Sequence, residues 1–181
     1  MVSTKTASET GGEPAGAREI TDTGGTTRAI GCLSCAIATR AVPVRGGSVI
    51  RSAHFDVHQD FEIPIPGFLI LTSLRHLQSV ADFDDEEAGD FMAVLRKARA
   101  LQRDVLGIGT VYLHQEEDTS HHFHLWLFPR HDWMSAFGRK APAMTPIMEH
   151  ARTALRSKAQ LGALDEAVAA LRAEAQRPTS A

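Results

Sequence analysis

One stretch constrains the fold more than any other: His121-His122-Phe123-His124-Leu125-Trp126-Leu127-Phe128-Pro129-Arg130. In a strand, alternate side chains point to opposite faces. Phe123, Leu125 and Leu127 then share an apolar face that should enter the core, while His122, His124 and Trp126 share the other. Two imidazoles at i and i+2 on a rigid strand are held close with little freedom. That arrangement suits metal ligation, or a nucleophile with a supporting partner. Five of the nine histidines lie between His114 and His131, so the chemistry concentrates here. His121, His131 and His150 read as rim, packing or surface residues.

Around this stretch the chain reads as α+β. Short strands are expected at 47–52 and 54–59, and the run Phe68–Leu71 after Pro64, Pro66 and Gly67 reads as a more buried third. The segment from Asp82 to Gly107 is the clearest helix: Ala88, Phe91, Met92, Leu95 and Val105 fall on one face, acids crowd its start, and Arg99, Arg103 and Gly107 close it. The acids Asp84–Glu87 read as a solvated charge run. Strands follow at about 109–114 and 121–128. From about Pro146 the chain is helical, with Thr145-Pro146 as cap and first helical position, and LDEAVAALRAEAQ is a second amphipathic stretch. Strands on either side of one long helix, then further helices, predict an α+β domain.

Residues 1 to 31 hold thirteen Gly or Thr and no aromatic residue, too little apolar area to offset ordering entropy. The expected organisation is a disordered tail over 1–30, a domain over 31–135 and a helical extension over 136–181. A length of 181 residues suits one such domain, and a formal charge of −3 argues against bulk nucleic-acid binding through phosphate neutralisation. No apolar run approaches the ~20 residues that cross a bilayer. The start MVSTKTASET lacks the apolar core of a secretory signal, so a cytoplasmic location is expected.

Cys32 and Cys35 form a lone C-x-x-C, consistent with a redox dithiol, half a zinc site or two buried thiols. A thioredoxin-type motif opens a helix after a strand, whereas a glycine-rich tail is expected before this one. Zinc needs two further ligands. His76, closing FLILTSLRH, and His122 complete a tetrahedral Cys2His2 set if the fold converges them.

These residues carry a resemblance. HFHLWLFPR resembles the signature of the histidine triad (HIT) superfamily, GCLSCAI the Cys-x-x-Cys start of many members, and QDFEIPIPGFLILTSLRH the family's aspartate, proline turn, apolar strand and basic-histidine end. The three segments keep the family order over roughly residues 31 to 135. The resemblance implies a HIT-like domain, an antiparallel sheet with one long helix, here followed by C-terminal helices. It implies a homodimer, one structural zinc ion on Cys32, Cys35, His76 and His122, and no organic cofactor.

It also implies roles at the site. His124 occupies the position of the nucleophile that attacks the α-phosphorus of a nucleotide, and His122 the first histidine of the motif. Trp126 stands where most members have the third histidine. Asp60 matches the acid that holds ribose hydroxyls, and Phe61 the apolar residue beside the base. Upstream donors to phosphate are Gln115, Thr119 and Ser120, with Arg130 a further candidate. Glu116, Glu117 and Asp118 lie among them, and acids there would repel a polyphosphate unless they face solvent, bind a cation or serve another ligand.

The function expected is a nucleotide hydrolase or nucleotidyltransferase, similar to diadenosine polyphosphate hydrolases, acting on dinucleoside polyphosphates or related nucleotides such as phosphoramidates. A non-catalytic nucleotide-binding or interaction module is the alternative. A metal enzyme with His122 and His124 as ligands would need a third ligand downstream, where the chain offers His150 in an expected helix.

Overall fold

The computed structural model describes residues 18–21, 26–118 and 121–178. In chain order the elements are β1 (Arg18–Thr21), β2 (Thr27–Ile30), α1 (Leu33–Ala38), β3 (Ser48–Arg51), β4 (Phe55–Gln59), β5 (Leu69–Ser73), α2 (Asp85–Asp104), β6 (Val111–Gln115), β7 (His124–Pro129), α3 (Met144–Ala154) and α4 (Lys158–Ala175), with short 3-10 turns between some of them. The architecture is α+β. Five strands form an antiparallel sheet in the order β3-β4-β5-β7-β6.

One sheet face is apolar. Phe55, Val57, Leu69, Leu71, Leu125 and Leu127 point from it onto Val94, Ala98 and Leu101 of α2 and Val168 and Leu171 of α4. Four phenylalanines (Phe55, Phe83, Phe91 and Phe123) close this core with edge-on contacts, the closest between Phe83 and Phe123 at 4.9 Å. Such tilted pairs avoid face-to-face repulsion between ring quadrupoles.

The helix α2 begins at a capping box: the Asp84 side chain accepts from the Glu87 backbone N–H, and Glu87 accepts from that of Asp84. The charge run is therefore not wholly solvated. Glu87 is buried and takes both arms of Arg75 at 2.9 and 2.8 Å, which holds its carboxyl down to about 2. The buried stripe also differs from the expected one. Val94, Ala98 and Leu101 face the core with Phe91 and Leu95 beside them, while Ala88 and Met92 are exposed. Apolar residues cover more than one side of this helix, and only the sheet selects which side is buried. Gln102 ties the helix to the sheet, its amide donating to the carbonyls of Gly67 and Leu127. Gly67 has φ +76°, and a Cβ there would collide with Ile108, so the turn into β5 requires glycine.

The opposite sheet face carries two polar rows. Asp56, Thr72 and His124 are successive cross-strand partners, and His58, Ile70, Trp126 and His114 form the next row. Beyond them Phe68 and Phe128 join Ile63, Ile65, Met144, Ile147 and Ala151 in a second core, so α3 packs on this face. The final helices thus cover opposite sides of the sheet. Met144 opens α3, and Pro146 sits within its first turn, where its missing N–H costs no helical bond. Ser157 caps α4 with Gln160, and Arg45 clasps Asp165 at 2.6 and 2.9 Å.

Most of the stretch expected to be a disordered tail lies outside the described residues. Its described part differs from that expectation: β1 and β2 pair antiparallel from Arg18↔Ile30 to Thr21↔Thr27. Backbone pairing between two segments needs no apolar core to be legible in composition. Among the described residues no helix is long and apolar enough to cross a membrane.

Candidate functional site

The C-x-x-C occupies the first turn of α1. Cys32 is the N-cap, its sulfur accepting from the Cys35 N–H. The strand β2 precedes it, so the local context expected to be missing for a redox motif is present after all. Its neighbours point to metal binding instead. His76 Nδ1 lies 3.1 Å from Cys35 Sγ; His122 Nδ1 lies 3.4 Å from Cys32 Sγ and 3.3 Å from Cys35 Sγ; the two Nδ1 atoms are 3.3 Å apart. All four ligand atoms fall within 4.8 Å of one another. Zinc–nitrogen bonds of about 2.0–2.1 Å at a tetrahedral angle set nitrogens about 3.3 Å apart, so the spacing fits one ion.

The chemistry of the donors agrees. Burial, then the neighbouring Cys32, pushes the Cys35 thiol up to about 11, a cost that a divalent cation relieves by taking the thiolate. His122 is fully buried, and desolvation lowers its pKa, which favours the neutral imidazole a metal requires. Its Nε2–H donates to the Ser73 carbonyl at 2.9 Å, which aims the Nδ1 lone pair at the cysteines. This is the outer-shell hydrogen bond that orients metal-bound histidines. Cys32, Cys35, His76 and His122 thus form a Cys2His2 site that fits one zinc ion.

The strand β7 starts at His124, later than expected, and His122 lies before it with both ring nitrogens engaged. The pair therefore divides: His122 belongs to the cluster, His124 to the polar sheet face. One residue separates them, and a hydrogen bond joins the pair. His124 Nδ1 stands 3.0 Å from the His122 carbonyl oxygen, to which its N–H donates. That hydrogen bond fixes the tautomer and leaves Nε2 with the lone pair. His124 is half-buried, open enough to meet a ligand.

Trp126 is the next residue on the same face. It stacks edge-on against Phe68 at 5.7 Å and lies beside His114 at 5.4 Å and His124 at 6.3 Å. It walls the polar rows off from the second core. Asp60 follows β4, where its Oδ1 accepts from the backbone N–H groups of Glu62 and Ile63 at 2.9 and 2.6 Å. Burial raises its carboxyl from 3.8 to about 6 despite those two bonds. Phe61 joins Ile37, Val42, Leu33 and Val44 in a small apolar cluster on the α1 side. Gln115 ends β6. Thr119 and Ser120 lie outside the described residues.

Three features of this face escaped the sequence. Asp56 and His58 are buried on it at 1% and 3% exposure, and desolvation lowers the pKa of His58. His114 Nε2 bonds Glu116 Oε1 at 2.7 Å, an imidazole–carboxylate pair beside Trp126. The i, i+2 spacing of His114 and Glu116 was a usable signal for that pair. Asp56 and His58 share that spacing, but nothing local to β4 tells that their face is buried.

Solved structures share this architecture. The chain superposes on a zinc-bound histidine triad family protein from Mycobacterium smegmatis with a TM-score of 0.56 and 18% identity, covering 80% of this chain and 92% of that one. The chain shares the fold of these histidine triad proteins. A hypothetical histidine triad nucleotide-binding protein from Sulfolobus tokodaii matches with a TM-score of 0.56 at 14% identity, over 81% of this chain and 95% of that one. A HIT family member from Bacillus subtilis matches with 0.53 at 18% identity, over 83% and 99%. No protein-family model and no curated protein matches the sequence. In the histidine triad fold of this chain, the motif strand is β7 and the cysteine pair meets it through His122.

Proposed function

We propose that this chain is a nucleotide hydrolase or nucleotidyltransferase in which His124 attacks the α-phosphorus of a dinucleoside polyphosphate or a nucleoside phosphoramidate. The observation that carries the reading is the His124 Nδ1 bond to the His122 carbonyl, which presents Nε2 as the nucleophile. Attack forms a nucleotidyl-His124 and expels the rest of the substrate; water or another acceptor then releases the nucleotide. Asp60 would accept from the ribose hydroxyls, and Phe61 with its apolar neighbours would cover the base. Gln115, Thr119 and Ser120 would donate to phosphate oxygens.

The metal would supply no chemistry to the substrate. Cys32, Cys35, His76 and His122 would hold a zinc ion that would tie the start of α1 to the His122 backbone, whose carbonyl orients His124. Thiolate ligands suit a reducing cytoplasmic setting. A homodimer is part of the reading, with Met92 on α2 and Leu113 on the sheet's edge strand as large apolar side chains more than half exposed.

The test is His124→Asn, which keeps size and polarity and removes the nucleophile. The variant should bind nucleotide yet lose kcat and kcat/KM together, and the one-nucleotide mass shift trapped on the unaltered protein should vanish. Near-normal turnover would remove His124 from the mechanism. Trp126 and the acidic loop Glu116–Asp118 favour the second reading, a nucleotide-binding module without turnover. Binding of a dinucleotide panel with no product would decide for it.

A further inference from the structure

His114 and Glu116 are unused by the mechanism above. His114 is the cross-strand partner of Trp126, the pairing Gln115↔Leu125 follows it, and one further step of that register sets Glu116 opposite His124. Residues 114 and 116 alternate onto the face that carries His124 and Trp126. His114 is thus the diagonal neighbour of His124, and such neighbours stand about 7–8 Å apart, within reach of side chains acting on one substrate. Both side chains of the pair are partly exposed, 30% for His114 and 34% for Glu116, so a bound molecule can touch the ring.

We propose that His114, oriented by Glu116, is the acid that protonates the leaving group, and that this pair selects leaving groups departing as neutral amines or alcohols over polyphosphate. The inference rests on the nucleotidyl-transfer reading of His124. Trp126, between the two imidazoles along the face, has only an indole N–H and no proton to give at neutral pH. An imidazolium carries a proton on each nitrogen. His114 Nε2–H holds Glu116, which leaves Nδ1–H for the leaving atom.

The step balances. The His124 Nε2 lone pair forms the bond to phosphorus. The bond from phosphorus to the leaving nitrogen or oxygen breaks with its electron pair going to that atom, which takes the Nδ1 proton of His114. The amine departs neutral, and His114 is left as neutral imidazole. Water then attacks phosphorus and gives its proton back to His114 Nδ1, and the phosphorus–nitrogen bond returns its pair to His124.

Charge favours the same choice. A polyphosphate leaves as a stabilised anion and needs no proton, and it would depart past Glu116 with Glu117 and Asp118 exposed next in the loop. That loop is anchored where Gln78 donates to the Glu117 carbonyl at 2.8 Å. An amine needs the proton and meets no repulsion. His114 is the catalytic residue of this inference and Glu116 its positioning residue.

The experiment compares kcat/KM for an adenosine phosphoramidate of an alkylamine with that for adenosine 4-nitrophenyl phosphate, whose leaving group departs unprotonated. His114→Gln should lose about 10²–10⁴-fold on the phosphoramidate, and at least tenfold less on the nitrophenyl ester. Glu116→Gln should give the same pattern with smaller losses. Equal losses on both substrates, with a lowered melting temperature, would make His114 a packing residue and overturn the proposal. A leaving-group series on the unaltered protein guards against misfolded variants: an acid gives a shallow dependence of rate on leaving-group pKa, and a steep one refutes it. Faster cleavage of diadenosine tetraphosphate than of the phosphoramidate refutes the selection. Absence of both turnover and adduct in the unaltered protein would instead overturn the reading of His124 on which this one stands.

Discussion

Asp60→Asn separates stability from binding at one atom. The Asp60 carboxylate holds the turn after β4 by accepting two backbone N–H groups, yet burial raises its pKa from 3.8 to about 6. An amide oxygen can accept the same two bonds without a buried charge. The linkage runs in one direction: a carboxyl whose folded pKa is raised costs nothing below about pH 4, where both states are protonated. Between about pH 4 and 6 the unfolded chain ionises first, so the native protein loses stability relative to Asp60→Asn. Above about pH 6 the difference is constant. A shift of about two pH units corresponds to a ceiling of about 3 kcal/mol, and because Asp60 keeps an edge in water, a gain of about 1 kcal/mol is expected for the variant at pH 7. Urea unfolding at pH 4, 5 and 7 measures it, and nucleotide binding by calorimetry should weaken, since an amide cannot accept from both ribose hydroxyls. Asp60→Ala removes the acceptor and should destabilise at every pH by about 1–3 kcal/mol. An Asp60→Asn gain that does not change with pH, or a loss at pH 7, refutes the reasoning.

Protein purified without chelator should carry about one zinc per chain, and stripping it should lower the thermal midpoint and loosen α1; metal-free protein of unchanged stability would dismiss the site. Trp126→His should change the preference between leaving groups more than nucleoside affinity, whereas an equal loss on all substrates with reduced stability would mark Trp126 as packing against Phe68. Arg75→Gln removes the partner that holds the Glu87 carboxyl down to about 2. A depressed folded pKa stabilises above the unfolded value near pH 4.3 and the effect fades as pH falls toward 2. The variant should therefore be less stable at pH 7 and approach the unaltered protein in acid; a gap that persists at pH 2 would assign the loss to packing.

The local periodicity of the chain determined its elements and the orientation of its chemistry. Alternation from Phe123 to Phe128 decided that His124 and Trp126 face away from Leu125 and Leu127, because a strand's side chains have a period of two whatever surrounds them. The long helix was equally legible from its acidic start, although its buried stripe was not. Tertiary structure decided what each face meets. His122 and His124 share a motif, but one turns to Cys32, which lies 90 residues away in sequence, and the other lies on the polar sheet face. Glu87 resembled a solvated acid until Arg75 closed on it, and only the pairing of β6 with β7 sets His114 opposite Trp126. Periodicity reports direction relative to the chain's own axis. Burial, pKa and the convergence of ligands depend on segments distant in sequence, and only the packed fold brings those into contact.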